Sequence, residues 1–192
     1  AAATSSRSSR DGLTITSGDT LIVLGTLTQT DGLISTGTVE ARGAVTIAST
    51  ADGGTGTLKV TSAGDQTING NGGKTCSLQV SKSSGTLSLG TTSLSVYSLT
   101  IDAANTLVST TSTLTLRLNW TNTAGGIFTH NAGTVSLGGG VNSGATINVA
   151  TSETFNHLTV NPGTGYARTI TSGDTLIVTG TFTHSDGLIN TG

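Results

Sequence analysis

The chain has 192 residues, of which 41 are threonine, 23 serine and 28 glycine, and only 9% are charged. A formal net charge of -2 gives no basic surface for nucleic acid, and no apolar run approaches the length of a membrane-spanning helix. A single proline excludes collagen. Plentiful, regularly spaced valine, isoleucine and leucine favour an ordered chain over a disordered one.

The first segment differs in composition from everything that follows it. Residues 1–12 read AAATSSRSSRDG and contain no valine, isoleucine or leucine. A segment without these side chains has nothing to contribute to a packed core. We therefore predict that residues 1–12 form a flexible N-terminal arm or a polar cap.

From Leu13 onward, aliphatic residues alternate with polar ones, which is the pattern of half-buried β-strands. Clusters of Gly, Asn and Asp between the runs predict tight turns, and no segment has a helical period. In chain order, the predicted strands contain Leu13/Ile15, Leu21/Val23, Val45/Ile47, Leu58/Val60, Leu78/Val80, Leu87/Leu89, Leu94/Val96, Leu99/Ile101, Leu114/Leu116/Leu118, Val135/Leu137, Ile147/Val149, Leu158/Val160 and Leu176/Val178.

A long segment occurs twice. Residues 14–37 read TITSGDTLIVLGTLTQTDGLISTG, residues 169–192 read TITSGDTLIVTGTFTHSDGLINTG, and 19 of the 24 positions are identical at an offset of 155 residues. Weaker copies lie between them, as expected of stacked modules. Residues 13–192 are therefore predicted to form a single repeat domain.

Two all-β architectures fit this pattern, a parallel β-solenoid (β-helix) of stacked short-strand coils and an antiparallel β-sandwich. Small side chains allow coils to stack at about 4.8 Å. Aromatic residues make up only 3% of the chain, too few to fill the wide gap between the sheets of a sandwich. We predict the solenoid, with about 20–25 residues in each coil, as is common for such folds.

Three phrases resemble the repetitive sequences of large prokaryotic surface proteins. They are NWTNTAGGIFT at residues 119–129, GTVSLGGG at residues 133–140 and TFNHLTV at residues 154–160. The chain is similar in these phrases to extracellular β-strand-repeat or β-helix proteins of the filament or adhesin type. This resemblance covers residues 13–192 but lies in the general character of the sequence and not in a catalytic motif. It therefore assigns a role to no individual residue. It implies an extracellular or cell-surface location and an elongated, structural or adhesive role.

The sequence offers little for catalysis or cofactor binding. Nearly every Asp lies beside Gly or in a predicted turn, so we predict neither an enzyme nor a cofactor. Calcium is the one weak candidate ligand, because the equally spaced pairs Asp19/Asp31 and Asp174/Asp186 could each meet on a corner. The single cysteine, Cys76, excludes an intrachain disulfide and is predicted to be buried. Asn119 begins one N-glycosylation sequon.

The leading functional hypothesis is a structural subunit of an extracellular filament or surface fibre. An uncapped solenoid exposes an unpaired strand edge at each end, and nearly identical end units are expected to stack head to tail with a second copy, with residues 1–12 as a strap. The predicted assembly residues are Thr14, Ile15, Leu21, Val23, Thr169, Ile170, Leu176 and Val178.

Two alternatives remain open. One is an adhesin or phage-fibre module that binds a surface glycan. The other is an ice-binding protein, suggested by T-x-T pairs such as Thr14/Thr16 and Thr113/Thr115, although the pairs are irregularly spaced along the sequence.

Overall fold

A computed structural model describes residues 12–138 and 144–192. These ranges contain 24 short strands and no helix, which confirms the predicted all-β class. The predicted arm lies outside the described residues except for Gly12, the first residue of β1. Among the described residues, no helix is both long enough and apolar enough to cross a membrane.

The strands are short, and most have three to five residues. In chain order they are β1 (Gly12–Thr14), β2 (Thr20–Val23), β3 (Leu27–Gln29), β4 (Gly32–Thr36), β5 (Thr38–Ala41), β6 (Val45–Ile47), β7 (Ala51–Val60), β8 (Gln66–Asn69), β9 (Lys74–Val80), β10 (Thr86–Ser88), β11 (Leu94–Val96), β12 (Leu99–Ile101), β13 (Thr106–Val108), β14 (Thr113–Leu116), β15 (Trp120–Asn122), β16 (Ile127–Thr129), β17 (Thr134–Gly138), β18 (Ala145–Asn148), β19 (Ser152–Phe155), β20 (His157–Asn161), β21 (Ala167–Ile170), β22 (Thr175–Val178), β23 (Phe182–His184) and β24 (Leu188–Thr191).

Every strand pairing between described residues is parallel, and paired strands are about one coil apart in sequence. The chain therefore winds as a parallel β-solenoid of about 8 turns, as predicted, and the antiparallel sandwich is excluded.

Three ladders of strands form the three faces of the rod. Ladder 1 contains β1, β4, β11, β14, β17, β20 and β23, and ladder 2 contains β2, β5, β12, β15, β18, β21 and β24. The longer β7 and β9 each run through both of these ladders. Ladder 3 contains β3, β6, β8, β10, β13 and β16, followed by β19 and β22.

Inward-pointing aliphatic side chains stack on one another from coil to coil. One column on ladder 2 runs from Val39 through Leu58, Leu78 and Leu99 to Trp120, and all five side chains are buried. Because a strand points alternate residues to opposite faces, the polar residues between them lie outside. The core is thus mainly hydrocarbon and is stabilised by contact between successive coils, with a few buried polar side chains among the aliphatic ones, such as Glu153 and Arg168.

The two copies of the repeated segment have the same local structure. Gly18 and Gly173 both take positive φ values, 92° and 86°, which glycine adopts readily. In the turns before β2 and β22, the amides of Asp19 and Asp174 donate to the carbonyls three residues earlier, at 2.9 and 3.0 Å.

The two copies nevertheless lie on different faces. Strands β1 to β4 occupy ladders 1, 2, 3 and 1, whereas the corresponding β21 to β24 occupy ladders 2, 3, 1 and 2. The second copy therefore lies seven coils plus one face further along the rod than the first, and the additional face rotates it by a third of a turn. The faces are similar enough to accept the same sequence.

Candidate functional site

Exposed apolar side chains are concentrated at the two ends of the rod. Nine large apolar side chains are exposed in the part of the chain that the structure describes, and eight lie in the first or last coil. The first coil exposes Leu13, Leu21, Ile22 and Leu24, and the last coil exposes Ile177, Phe182, Leu188 and Ile189. Such clustering is typical of interaction surfaces, whereas scattered single apolar residues are ordinary on a protein surface. The ninth, Ile127, lies on β16, the sixth of the eight strands of ladder 3.

Each end also opens into the hydrocarbon core. A cavity of about 260 Å³ at the C-terminal end is lined by Leu158, Ile170, Leu176, Val178 and Phe182, among others. A smaller one of about 180 Å³ at the N-terminal end lies beside Leu13, Leu27, Leu33, Ile34 and Val39. Within residues 12–138 and 144–192, both are places where the inward column of side chains has no further layer.

The backbone at each end is equally open. Among residues 12–138 and 144–192, no strand pairs with the outer edges of β1, β2 and β3, or with those of β22, β23 and β24. A free parallel edge presents unpaired N–H and C=O groups to another strand. Apolar contact and main-chain hydrogen bonding are therefore available on the same surface.

Only some of the predicted assembly residues lie at these ends. Thr14 and Ile15, at the end of β1, and Leu21 and Val23 on β2 lie in the first coil. Leu176 and Val178 lie in the last coil, on β22.

Thr169 and Ile170 are placed one coil further in. Their strand, β21, pairs with β18 on one side and with β24 on the other, although Ile170 lines the C-terminal cavity. Sequence reasoning missed Ile22 and Ile177. Their signal is that each lies between two aliphatic residues and so interrupts the alternation.

A second feature is an aligned array of polar side chains on ladder 1. Strands β14, β17, β20 and β23 are in register, so four outward pairs align in two columns. The pairs are Thr113/Thr115, Thr134/Ser136, His157/Thr159 and Thr181/Thr183. Seven of the eight side chains carry a hydroxyl. The sequence hides this regularity because the pairs differ in residue type and the coils differ in length.

Asn119 belongs to a comparable column on ladder 2. It is half-buried, its backbone amide donates to Ser98 Oγ at 3.3 Å, and its Oδ1 accepts a hydrogen bond from the Thr146 amide at 3.0 Å. The predicted glycosylation position thus lies on an outward face, and its side-chain carbonyl is held by the next coil.

One buried polar group lies beside a break in ladder 3. No pairing joins β16 to β19 in the described ranges, and a cavity of about 350 Å³ opens there, lined in part by Asn122, Phe128 and Glu153. Glu153 is buried, and its Oε2 accepts a hydrogen bond from Asn122 Nδ2 at 2.7 Å. Burial raises the pKa of the Glu153 carboxyl above its ordinary value of 4.5, against the hydrogen bonds, which lower it.

Because Glu153 is buried, we predict that ionisation of its carboxyl makes the rod less stable as the pH rises. Because the pKa is higher in the folded protein, the free energy of unfolding falls as the pH increases from about 4.5 through the folded-state pKa. We expect Glu153→Gln, which keeps an oxygen that can accept from Asn122, to lessen this fall. Chemical denaturation at pH 4 and at pH 8 checks it, and an unchanged pH dependence in the variant would contradict it.

The candidate calcium ligands serve local structure. Asp31 and Asp186 accept hydrogen bonds from the amides of the glycines that follow them, at 2.8 and 2.7 Å. Asp174 Oδ2 accepts from the Val149 amide at 2.7 Å. In the ranges that the structure covers, no three His, Cys, Asp or Glu side chains are grouped to hold a metal ion.

The cysteine and the aromatic residues belong mainly to the core. Cys76 is buried, and burial raises the pKa of its thiol to about 11, which disfavours the reactive thiolate. Trp120, Phe128 and Phe155 form a cluster, with the centroid of the Trp120 ring 4.8 and 5.2 Å from those of the two phenylalanine rings. Phe182, in the last coil, is half-exposed instead.

Comparison of the chain with protein-family models, with curated proteins and with solved structures found no match.

Proposed function

We propose that the protein is a structural subunit of an extracellular fibre and assembles head to tail through the coils at its two ends. The observation that carries this proposal is the placement of eight of the nine exposed large apolar side chains in the first and last coils. Each end combines these side chains with free strand edges and an open core.

The energetic argument favours contact between the ends. Fully burying an aliphatic or aromatic side chain contributes about 1.5–3 kcal/mol, so covering a half-exposed one contributes about 1 kcal/mol. Four of the eight pair with buried residues and so continue the inward column, where a stacked coil would cover them, which gives about 4 kcal/mol, at the lower end of the estimated entropic cost of association, about 4–15 kcal/mol. These four are Leu13, Leu21, Phe182 and Ile189. Hydrogen bonds along three strand edges add to this.

The rest of the rod fits a structural role. Hydroxyl-bearing side chains cover much of the outer faces, and the mainly hydrocarbon core fills the interior. The resemblance to repetitive prokaryotic surface proteins supports an extracellular location. We propose no catalytic group and no cofactor.

Sedimentation velocity and electron microscopy of the purified chain over a range of concentrations test the proposal. We expect unbranched fibres, one rod wide, whose length grows with protein concentration. A chain that stays monomeric at the highest concentration would overturn it. Retained affinity of such a monomer for a surface glycan would favour the adhesin alternative.

The hydroxyl array on ladder 1 favours ice binding as a second candidate function. Its side chains repeat at the spacing of neighbouring strands, about 4.8 Å, over four coils. A regular lattice of this kind is suited to an ordered polar surface such as ice.

If this second candidate is right, the protein should lower the freezing point of water below its melting point, and Thr115→Tyr should abolish this gap by breaking the aligned array. Thr100→Tyr on ladder 2 is the matched control and should leave the gap unchanged. Nanolitre osmometry measures it. No gap for the unmodified protein would remove the candidate.

A further inference from the structure

The repeated segment occurs in two different surroundings. The first copy, residues 14–37, is called here the N-unit, and the second, residues 169–192, the C-unit. Residues 38–60 form the covering coil of the N-unit, because β5, β6 and β7 pair with β2, β3 and β4. The C-unit has no covering coil among the residues that the structure describes.

The covering coil binds the N-unit through backbone groups that the C-unit also has. The amides of Thr38 and Arg42 donate to the carbonyls of Asp19 and Val23, at 3.1 and 2.9 Å. The corresponding residues of the C-unit are also an aspartate and a valine. The surface that recognises residues 38–60 is therefore present a second time, at the C-terminal end.

One tight contact in this interface depends on a glycine that both units keep. A Cβ on Gly43 of the covering coil would clash with the carbonyl oxygen of Gly25, so the two backbones are in close contact. Gly180 stands at the position of Gly25 in the C-unit. The backbone of Gly43 can therefore approach the corresponding glycine of either unit equally closely.

Two of the five substitutions between the units leave the local structure unchanged. Gln29 Nε2 donates to the Gly32 carbonyl at 3.0 Å, and its replacement, His184, places Nε2 3.1 Å from the corresponding Gly187 carbonyl. The change at Leu24 falls on a strongly exposed side chain. Neither difference alters the backbone edge that the covering coil would meet.

We propose that the C-unit of one copy binds the covering coil of a second copy and displaces its N-unit. This inference rests on the proposed fibre and specifies the contact between subunits. The interface that is lost and the interface that is gained have nearly the same sequence, so the free energy lost with one is nearly regained with the other. The released N-unit regains conformational freedom, which offsets part of the cost of association.

The exchange sets the symmetry of the fibre. Successive subunits would be related by the offset between the units, seven coils plus one face, because the C-unit takes the place of the N-unit. At about 4.8 Å per coil, the axial rise would be about 35 Å with a rotation of a third of a turn. Stacking of intact ends would keep all the coils and give a rise of about 42 Å.

Disulfide trapping distinguishes the two arrangements. Ile22 pairs with Glu40 in the folded chain, and Ile177 corresponds to Ile22 in the C-unit. Directly paired residues on neighbouring strands are close enough for a disulfide. We expect full-length protein carrying Glu40→Cys, Ile177→Cys and Cys76→Ala to form covalently linked fibres on mild oxidation. Loss of the exposed Glu40–Arg42 ion pair should cost little stability.

Two control variants make the result interpretable. Ile22→Cys with Glu40→Cys, in the same Cys76→Ala background, should form a disulfide within one chain and shows that the pair can be trapped. Glu40→Cys with Ile127→Cys places the second thiol at an exposed position outside both end coils and measures random linkage.

Helical reconstruction by electron microscopy completes the experiment. Linked fibres with a rise of about 35 Å support the exchange. Fibres with a rise of about 42 Å, and with no more linkage than the random control, overturn the exchange while the proposed fibre stands. Absence of fibres in the unmodified protein removes both proposals.

Discussion

Replacing Phe182 with aspartate is expected to stop fibre growth while leaving the rod folded. The Phe182 side chain is 50% exposed on β23, in the coil that we propose as the growing end, and it continues the inward column from the buried Leu158. In the single subunit, the new carboxylate stays in water and costs little. In the fibre, it would have to lose its water beside an apolar surface without a partner, at a cost of several kcal/mol.

This penalty should weaken assembly at least about 100-fold, which corresponds to about 3 kcal/mol. The midpoint concentration for assembly, followed by sedimentation velocity or light scattering, measures it. Thermal unfolding at a concentration below that midpoint checks that the fold is retained.

Ile127→Asp provides the matched control. Ile127 is 55% exposed, close to the exposure of Phe182, but it lies on β16, the sixth of the eight strands of ladder 3 and in neither end coil. The substitution introduces the same charge outside the proposed contact, so this variant should assemble like the unmodified chain. Equal loss of assembly in both variants would show that net charge, and not the end surface, controls fibre growth.

The fold could be predicted because its main determinants are local. Alternation such as Leu58/Val60 and Leu78/Val80 identifies the inward positions, and the structure buries all four side chains. Parallel stacking follows from small side chains and from nested repeats, which a sandwich does not need. The predicted coil length agrees with most of the observed registers, for example the pairing of Leu99 with Trp120 one coil later.

The face on which a segment lies could not be predicted in the same way, because the coils differ in length. One of the shortest coils joins Leu27 to its partner Val45. The longest one in the described ranges joins Trp120 to Ile147. Each turn adds or removes residues without changing the alternation, so the phase of a strand around the axis is lost after a few coils. This explains why the repeat suggested identical end coils, whereas the structure rotates them by one face.

Because this phase is lost, parts of the candidate sites could not be predicted from the sequence either. In the hydroxyl array, Ser136 pairs with Thr159 and Thr159 with Thr183 across coils of unequal length, which no fixed period in the sequence reveals. Thr169 and Ile170 were predicted at an end because they belong to the repeat, but β24 covers their strand. Glu153 carries no sequence signal of burial, because its position inside the rod follows from the phase of β19.

Replacing Trp120 with alanine is expected to cause the largest loss of stability. Trp120 is 0% exposed and stands between Leu99 and Ile147 in the inward column of ladder 2. Its ring contacts Phe128 and Phe155 edge to face, so one side chain joins ladder 2 to two strands on ladder 3. Truncating a buried aromatic residue to alanine costs about 3–5 kcal/mol.

Because each coil of a solenoid contacts only its neighbours, this loss should weaken the coupling between the two halves of the rod. We expect urea denaturation of Trp120→Ala, followed by circular dichroism, to show two transitions in place of one, with the less stable half unfolding first. Trp120→Phe keeps an aromatic ring in the column and should retain a single transition with a smaller loss. A single transition for the alanine variant, shifted by less than about 1 kcal/mol, would show that the aromatic cluster does not hold the two halves together.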